Sequence, residues 1–263
     1  MAIKYSIQGA LIYLAIAVLL LAFTARLIRR RRLGDALYAA SFVVVLVAFI
    51  YRWIDVRHVP MQNLFEVFVC LGMIWPLSRF CRRAMRIGGD TVDMLLGVIV
   101  LFPAGFVFNA EPQQLPPALQ CWLFAPHVAV YMASYIVMAK AAVQAIYCVA
   151  GRDRPADPEL VSYEEGTYRL VLLGFPLLTL GLILGSWWGK LAWGDYWGWD
   201  PKEMWSLATW LIFAGYLHAR ALFGRGRARL TGAIAVAGMV AIIITLLWVN
   251  LSRLFAGLHN YAS

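Results

Sequence analysis

The sequence predicts an all-α, polytopic membrane protein of about eight transmembrane helices, with both termini on the outer side. Three observations carry that expectation. Of 263 residues, 62% are hydrophobic and 14% charged, with a mean hydropathy of +0.72; a soluble domain carries roughly 25% charged residues. Eight apolar stretches reach the length of about 17 residues that a crossing needs. Basic residues also gather in alternate loops, as they do when one side of a membrane is cytoplasmic.

The stretch near 7–27 reads as a retained crossing. Its apolar run is longer than a signal-peptide core, and its heavy charge, Arg26 and Arg29 to Arg32, follows the run instead of preceding it. A second stretch lies near 36–53. The third, near 64–80, ends in Arg79, Arg82, Arg83 and Arg86. The fourth, near 92–109, returns outward, and the fifth, near 127–149, descends again. The loop 151–169 mixes Asp, Glu and Arg and reads as a solvated connector. The sixth stretch lies near 170–188, the seventh near 205–223 and the eighth near 230–252. Lipid offers the backbone no water, so all of these must be helices, and no alternation of the barrel type competes.

Sixteen arginines fall in the loops of one side, and six basic residues (Lys4, Arg52, Arg57, Lys190, Lys202, Arg253) on the other; Lys140 lies within a span. That asymmetry places the Arg-rich loops in the cytoplasm. The formal charge of +9 is therefore a topology signal and not a nucleic-acid footprint. An ordinary soluble protein and a disordered chain are excluded by the same composition. Cys70, Cys81, Cys121 and Cys148 form no CxxC pair and sit at different depths, so no disulfide framework is expected. The expected organisation is two N-terminal helices over 1–57 and a main domain of six helices over 58–263.

Seven of the eleven tryptophans lie between positions 187 and 210: Trp187, Trp188, Trp193, Trp197, Trp199, Trp205 and Trp210, with Tyr196 among them. An interfacial belt would spread its rings over all helix ends. Concentration at one external loop, around 187–205, points instead to a platform for a flat apolar ligand. Within it, Trp199-Asp200-Pro201-Lys202-Glu203 has two readings, and both can hold. Asp200, Pro201 and Glu203 suit the start of the seventh helix, and the three charged side chains suit the polar groups of an amphipathic ligand.

Four histidines occupy different depths. His58 sits in an outer loop. His127 opens the fifth span at its outer end, and His259 follows the eighth span, also outside. His218 lies 13 residues beyond Trp205, about 20 Å below the outer surface, where a buried ionisable side chain is functional by default. Two external histidines flanking an aromatic platform are the ingredients of a bis-imidazole metalloporphyrin site. Zinc is the poorer candidate, lacking a third ligand nearby. Polar helix packing is the bland alternative for each histidine alone.

These residues resemble a known family. The run from Trp193 through Trp199-Asp200-Pro201-Lys202-Glu203 to Trp205 and Leu207 resembles the tryptophan-rich "WWD" motif of haem-handling cytochrome c biogenesis proteins, of the CcsA/ResC type (System II). The likeness continues to His218-Ala219-Arg220. The segments Leu115 to Gln120 before His127, Gly257 to Tyr261 around His259, and Pro60 to Glu66 also resemble the family's. Asp195, Asn260 and Ala262 depart from its commoner residues, none at a ligand position.

The resemblance implies a holocytochrome c synthase, or haem lyase, subunit of the bacterial cytoplasmic membrane. Such a protein moves haem b across the bilayer and presents it at the outer face for thioether attachment to the CxxCH segment of apocytochrome c. It further implies that His127 and His259 are external axial ligands of the haem iron and that His218 serves a haem site within the membrane. Trp193, Tyr196, Trp197, Trp199, Asp200, Lys202, Glu203 and Trp205 would line the external site. A CcsB/ResB-type subunit and a thioredoxin-like reductant of the apocytochrome thiols are the implied partners. No acid, base or nucleophile dedicated to attachment is evident, so positioning would carry the catalysis. A haem exporter or delivery module without synthase activity is the alternative reading. His58 reads as a polar loop residue, and Glu66 as a carboxylate needing a partner.

Overall fold

The computed structural model describes residues 3–251, which are helical with no strand among them. In chain order the helices are α1 (Ile7–Leu27), α2 (Arg31–Val56), α3 (Leu64–Leu71), α4 (Trp75–Ala84), α5 (Asp90–Phe106), α6 (Phe124–Val149), α7 (Tyr163–Trp193), α8 (Pro201–Phe223), α9 (Ala228–Ile243) and α10 (Val249–Leu251). A π-helical turn, Ile244–Trp248, joins the last two. His259 lies outside the described residues.

By length and composition, six described helical runs can cross a membrane: Ile7–Leu27, Arg31–Val56, Leu64–Ala84, Phe124–Val149, Tyr163–Trp193 and Pro201–Leu251. The chain is thus an all-helical, multi-span membrane protein. The eight expected stretches map onto these runs in an informative way. The stretch near 92–109 is α5, only 17 residues long and opened by Asp90 and Asp93. The last two stretches form one apolar run of 51 residues. That run folds back on itself at the 3-10 turn Gly224–Arg227, with Gly238 of α9 packed against the Phe213 ring of α8.

The chain divides into two compact units. In the first, residues 3–80 and 89–116, α1 packs against α2 and α5, and α3 against α5. Ser6 and Asn63 start α1 and α3 by accepting the amides of Gly9 and Glu66, which satisfies donors that the helix itself cannot. Two buried polar knots pin this unit. Arg52 Nε donates to Glu66 Oε1 at 2.9 Å, while its Nη atoms donate to the Ala110 and Glu111 carbonyls. The second Glu66 oxygen accepts the Gln62 amide at 2.8 Å. Glu66, 1% exposed, therefore has its partner on α2. In the other knot, Arg26 bridges Asp35 and Asp90, and Ser78 donates to Asp90 and to Asp93. His58 rests on backbone carbonyls, those of Val59 and Gln113.

The second unit comprises residues 81–88 and 117–251. Here α6 packs antiparallel along α7 and also against α9, and α8 packs against both α7 and α9. Small residues of α7 let α6 approach closely, as membrane helix pairs require. A Cβ at Gly174 would meet Met138, and one at Gly181 would meet Tyr131. Ser134 adds a hydrogen bond to the Gly174 carbonyl at 3.0 Å. At the Arg-rich end, Glu164 and Glu165 of α7 pair with Arg169, Arg220 and Arg225, tying α7 to the end of α8. Within α6, Lys140 is fully buried and donates to the Gly88 carbonyl, as does Gln144. All four cysteines are free thiols.

Candidate functional site at the C-terminal end of α7

The tryptophan-rich segment is less a loop than two helix ends. Nothing from Trp188 to Trp193 breaks a helix, so α7 runs on to Trp193 and stops at Gly194, whose φ of 93° ends it. Trp187, Trp188 and Trp193 therefore belong to α7, and Trp205 and Trp210 to α8; only Tyr196, Trp197 and Trp199 stand in the connection. The expectation of one external loop carrying the rings is corrected accordingly.

At this end α7 presents two opposite faces, because residues four apart share a side and residues two apart do not. Gly181, Gly185 and Trp188 form one face, and it receives His127 from the first turn of α6. His127 Nδ1 lies 3.0 Å from the Gly181 carbonyl. A carbonyl only accepts, so Nδ1 carries the proton, and in the neutral ring the lone pair is then on Nε2, the arrangement typical of a metal-binding histidine. The imidazole stacks on Trp188 (centroids 5.9 Å apart, planes 13° apart) and meets Tyr131 edge-on at 5.1 Å. Gly185 makes room for it, since a Cβ there would come within 2.5 Å of the His127 ring. Trp188 is 2% exposed, donates Nε1–H to the Ala118 carbonyl at 3.0 Å, and packs edge-to-face with Trp193 at 4.6 Å. The imidazole is thus fixed in tautomer and in plane.

The other face is open. Leu182, Ile183, Ser186 and Trp187 line an apolar groove of about 520 Å³, completed by Tyr196 and Trp197 of the connection and Leu207 of α8. That volume suits a small-molecule ligand. Ser186 donates to the Tyr196 carbonyl at 2.9 Å, and Lys190 sits over the Tyr196 ring, so the connection is anchored back to α7. Trp122 meets Trp187 edge-on at 5.6 Å. The structure therefore brings Trp188 to His127, with Trp193 packed on Trp188, and Tyr196 and Trp197 to the groove on the other face.

The charged residues after Trp199 start α8. Asp200 accepts the Lys202 amide at 2.8 Å, Pro201 opens the helix, and Glu203 returns a bond to the Asp200 amide at 3.1 Å. This reciprocal capping box is the helix-start reading of the segment. Glu203 Oε2 also accepts the Gly198 amide at 2.8 Å. Trp199 between them has a φ of 57° and is 67% exposed; such a backbone costs about 1–3 kcal/mol for a side chain of this size.

His218 is not buried by this chain, which corrects the expectation. Along α8 the inward residues are Thr209, Phe213 and Tyr216, and helical periodicity turns Leu211, Gly215, His218 and Leu222 outward. Its Nδ1 lies 2.8 Å from the Ala214 carbonyl, one turn earlier. An apolar helix gives no sequence cue to which face is outward. Sequence reasoning also passed over Trp188 as the partner of His127 and over the notch at Gly181 and Gly185. The signal was there, as two glycines one turn apart beside a tryptophan.

Comparison with known proteins follows the same line. Residues 6–256 match the family model of the cytochrome c assembly protein, so the match takes in α1 and α2 as well. The chain is 31% identical to the cytochrome c biogenesis protein CcsA of Gloeobacter violaceus, over 87% of this chain and 86% of that protein. Against CcsA of Synechococcus elongatus the identity is 31%, over 80% of this chain and 81% of the relative. Against CcsA of Chlamydomonas reinhardtii it is 32%, over 84% and 66%. A solved structure, the cytochrome c haem lyase CcmF, superposes with a TM-score of 0.65 at 20% identity, covering 95% of this chain and 51% of that one; at that identity the likeness is one of fold. With a family match over nearly its whole length, the chain belongs to the cytochrome c assembly protein family.

Proposed function

We propose that this protein takes haem b as its substrate, carries it across the cytoplasmic membrane of a bacterium, and presents it on the outer face for attachment to apocytochrome c. In this reading the chain crosses the bilayer eight times with both termini outside. It acts as the haem-holding subunit of a holocytochrome c synthase, beside a CcsB/ResB-type partner and a thioredoxin-like reductant of the apocytochrome. His127 and His259 are the external iron ligands, and His218 serves an intramembrane haem site completed from outside this chain.

The observation that carries the proposal is the mounting of His127. Its Nδ1 is tied to the Gly181 carbonyl and its ring is held parallel to a buried tryptophan. A helix-packing histidine needs neither a fixed lone pair on Nε2 nor a glycine notch cut for its ring. The donor set also suits iron that is already held in a porphyrin, because no group of three or more His, Cys, Asp or Glu able to hold a bare ion occurs among the described residues.

Attachment adds two cysteine S–H bonds of the CxxCH segment across the two vinyl groups of haem, each sulfur bonding one vinyl carbon and each hydrogen the other. The residues of this chain hold and orient. His127 fixes the iron, Trp188 and the Gly181 carbonyl fix the imidazole, and Trp187, Tyr196 and Trp197 line a separate apolar groove on the opposite face of α7. When the histidine of the CxxCH segment takes the iron, one chain ligand is displaced and the product leaves. Catalysis is then mainly approximation and orientation.

The test uses the full chain with its partner subunit and an apocytochrome, in a host without its own assembly system. His127→Gly is expected to lose bound haem and covalent product, and added imidazole to restore both by refilling the vacated position. Loss that imidazole does not reverse would remove His127 as a ligand. Bound haem without covalent product in the wild type would favour a delivery module over a synthase.

A further inference from the structure

Glu203 does more than a helix start requires. In a capping box the third helical residue returns one bond, to the amide of the capping residue. Here that bond is present, from the Asp200 amide, but the same oxygen, Oε2, also accepts the amide of Gly198, two residues earlier. One carboxylate therefore grips the amides of the two residues that flank Trp199. The gripped residue is one of four described non-glycine positions with positive φ, and the other three are arginines, Arg29, Arg57 and Arg86. A left-handed tryptophan does not persist unless its surroundings impose it. Its indole is also the least sheltered of the cluster, 67% exposed, and stands edge-on to Trp197 at 6.0 Å, just beyond the groove that Trp197 lines.

We propose that Glu203 is a positioning residue that acts through Trp199. By clamping the Gly198 and Asp200 amides it holds Trp199 in the left-handed conformation, and so turns the indole outward to meet the haem ring at the external site. This deepens the haem reading above and rests on it. It divides the work of the charged segment. Asp200 caps α8, Glu203 shapes the connection, and the Glu203 carboxylate, engaged with two backbone amides, is not itself a haem contact.

Two measurements on the detergent-purified full chain test the two halves separately. The first is a hemin titration followed by the Soret band. Trp199→Ala and Glu203→Ala are each expected to weaken hemin binding by about three- to tenfold, the scale of one ring contact. The double variant is expected to be no weaker than Trp199→Ala alone to within about twofold, as residues acting in series must be. Losses that simply multiply, or a Glu203→Ala variant that binds like the wild type, overturn the proposal.

The second measurement needs no haem. In protein labelled with 5-fluorotryptophan, the Trp199 resonance is identified by its absence in Trp199→Phe, and its exposure is read with a soluble gadolinium chelate. Glu203→Ala is expected to shift and broaden that resonance and to reduce its relaxation by the chelate. Glu203→Gln, which keeps an oxygen acceptor, is expected to retain most of the wild-type signal. An unmoved Trp199 resonance in Glu203→Ala overturns the clamp whatever hemin does. A wild type that binds no hemin while the resonance responds as expected leaves the clamp standing and removes the haem reading instead.

Discussion

The two faces of α7 at its C-terminal end differ in how they are built. On the His127 face, every ring rests on another group: imidazole on Trp188, indole N–H on the Ala118 carbonyl, Trp193 edge-on to Trp188, and glycine where a side chain would collide. Across the helix, the groove of Trp187, Tyr196, Trp197 and Leu207 is open and apolar, with its connection anchored through the Tyr196 carbonyl and ring. The first face specifies one position for one nitrogen, and the second accepts a shape.

Substitutions on each face probe the contrast directly. The largest effect is expected from Gly185→Leu. With even a Cβ only 2.5 Å from the His127 ring, the larger side chain must expel the imidazole, and hemin binding in a Soret titration should fall at least about fivefold, the lower end of overpacking costs. Retained affinity would mean that the imidazole plane does not matter. Next comes Trp188→Phe, which keeps a ring beneath His127 but gives up the bond to Ala118. About 1 kcal/mol is expected, a several-fold weaker hemin affinity with the Soret position unchanged. Smallest should be Leu207→Ala on the groove side, about twofold in hemin affinity by loss of apolar contact area, with no change in ligation. If Leu207→Ala shifted the Soret band while Gly185→Leu did not, the roles of the two faces would be exchanged.

How much of this was written in the sequence depends on the kind of signal. Long apolar runs locate helices wherever lipid is the solvent, and α1, α6 and α8 lie close to where the runs put them. Helix ends were harder to read. Arg31 and Arg32 are charged yet helical, and α7 continues five residues past Trp188 because only at Gly194 does the backbone turn. Facing was harder still. His127 and Trp188 are far apart in sequence, and only the pairing of α6 with α7 shows that one rests on the other. His218 points outward for a reason that composition cannot carry, since the residues on both sides of α8 are apolar. The capping box, by contrast, was legible at Asp200 and Glu203, because its spacing is local. What spacing could not show was the additional bond to Gly198.

The ion pair of Arg52 and Glu66 also bears on how the chain is threaded into the bilayer during synthesis. A guanidinium locked to a carboxylate only 14 positions further on ties α2 to α3 as a near-neutral unit, and a neutral unit is far cheaper to bring into lipid than a bare cation. Set aside from the count on that ground, Arg52 leaves five basic residues, not six, against the sixteen arginines of the alternate loops. The asymmetry between the two sets of loops is then sharper than the residue count alone implies.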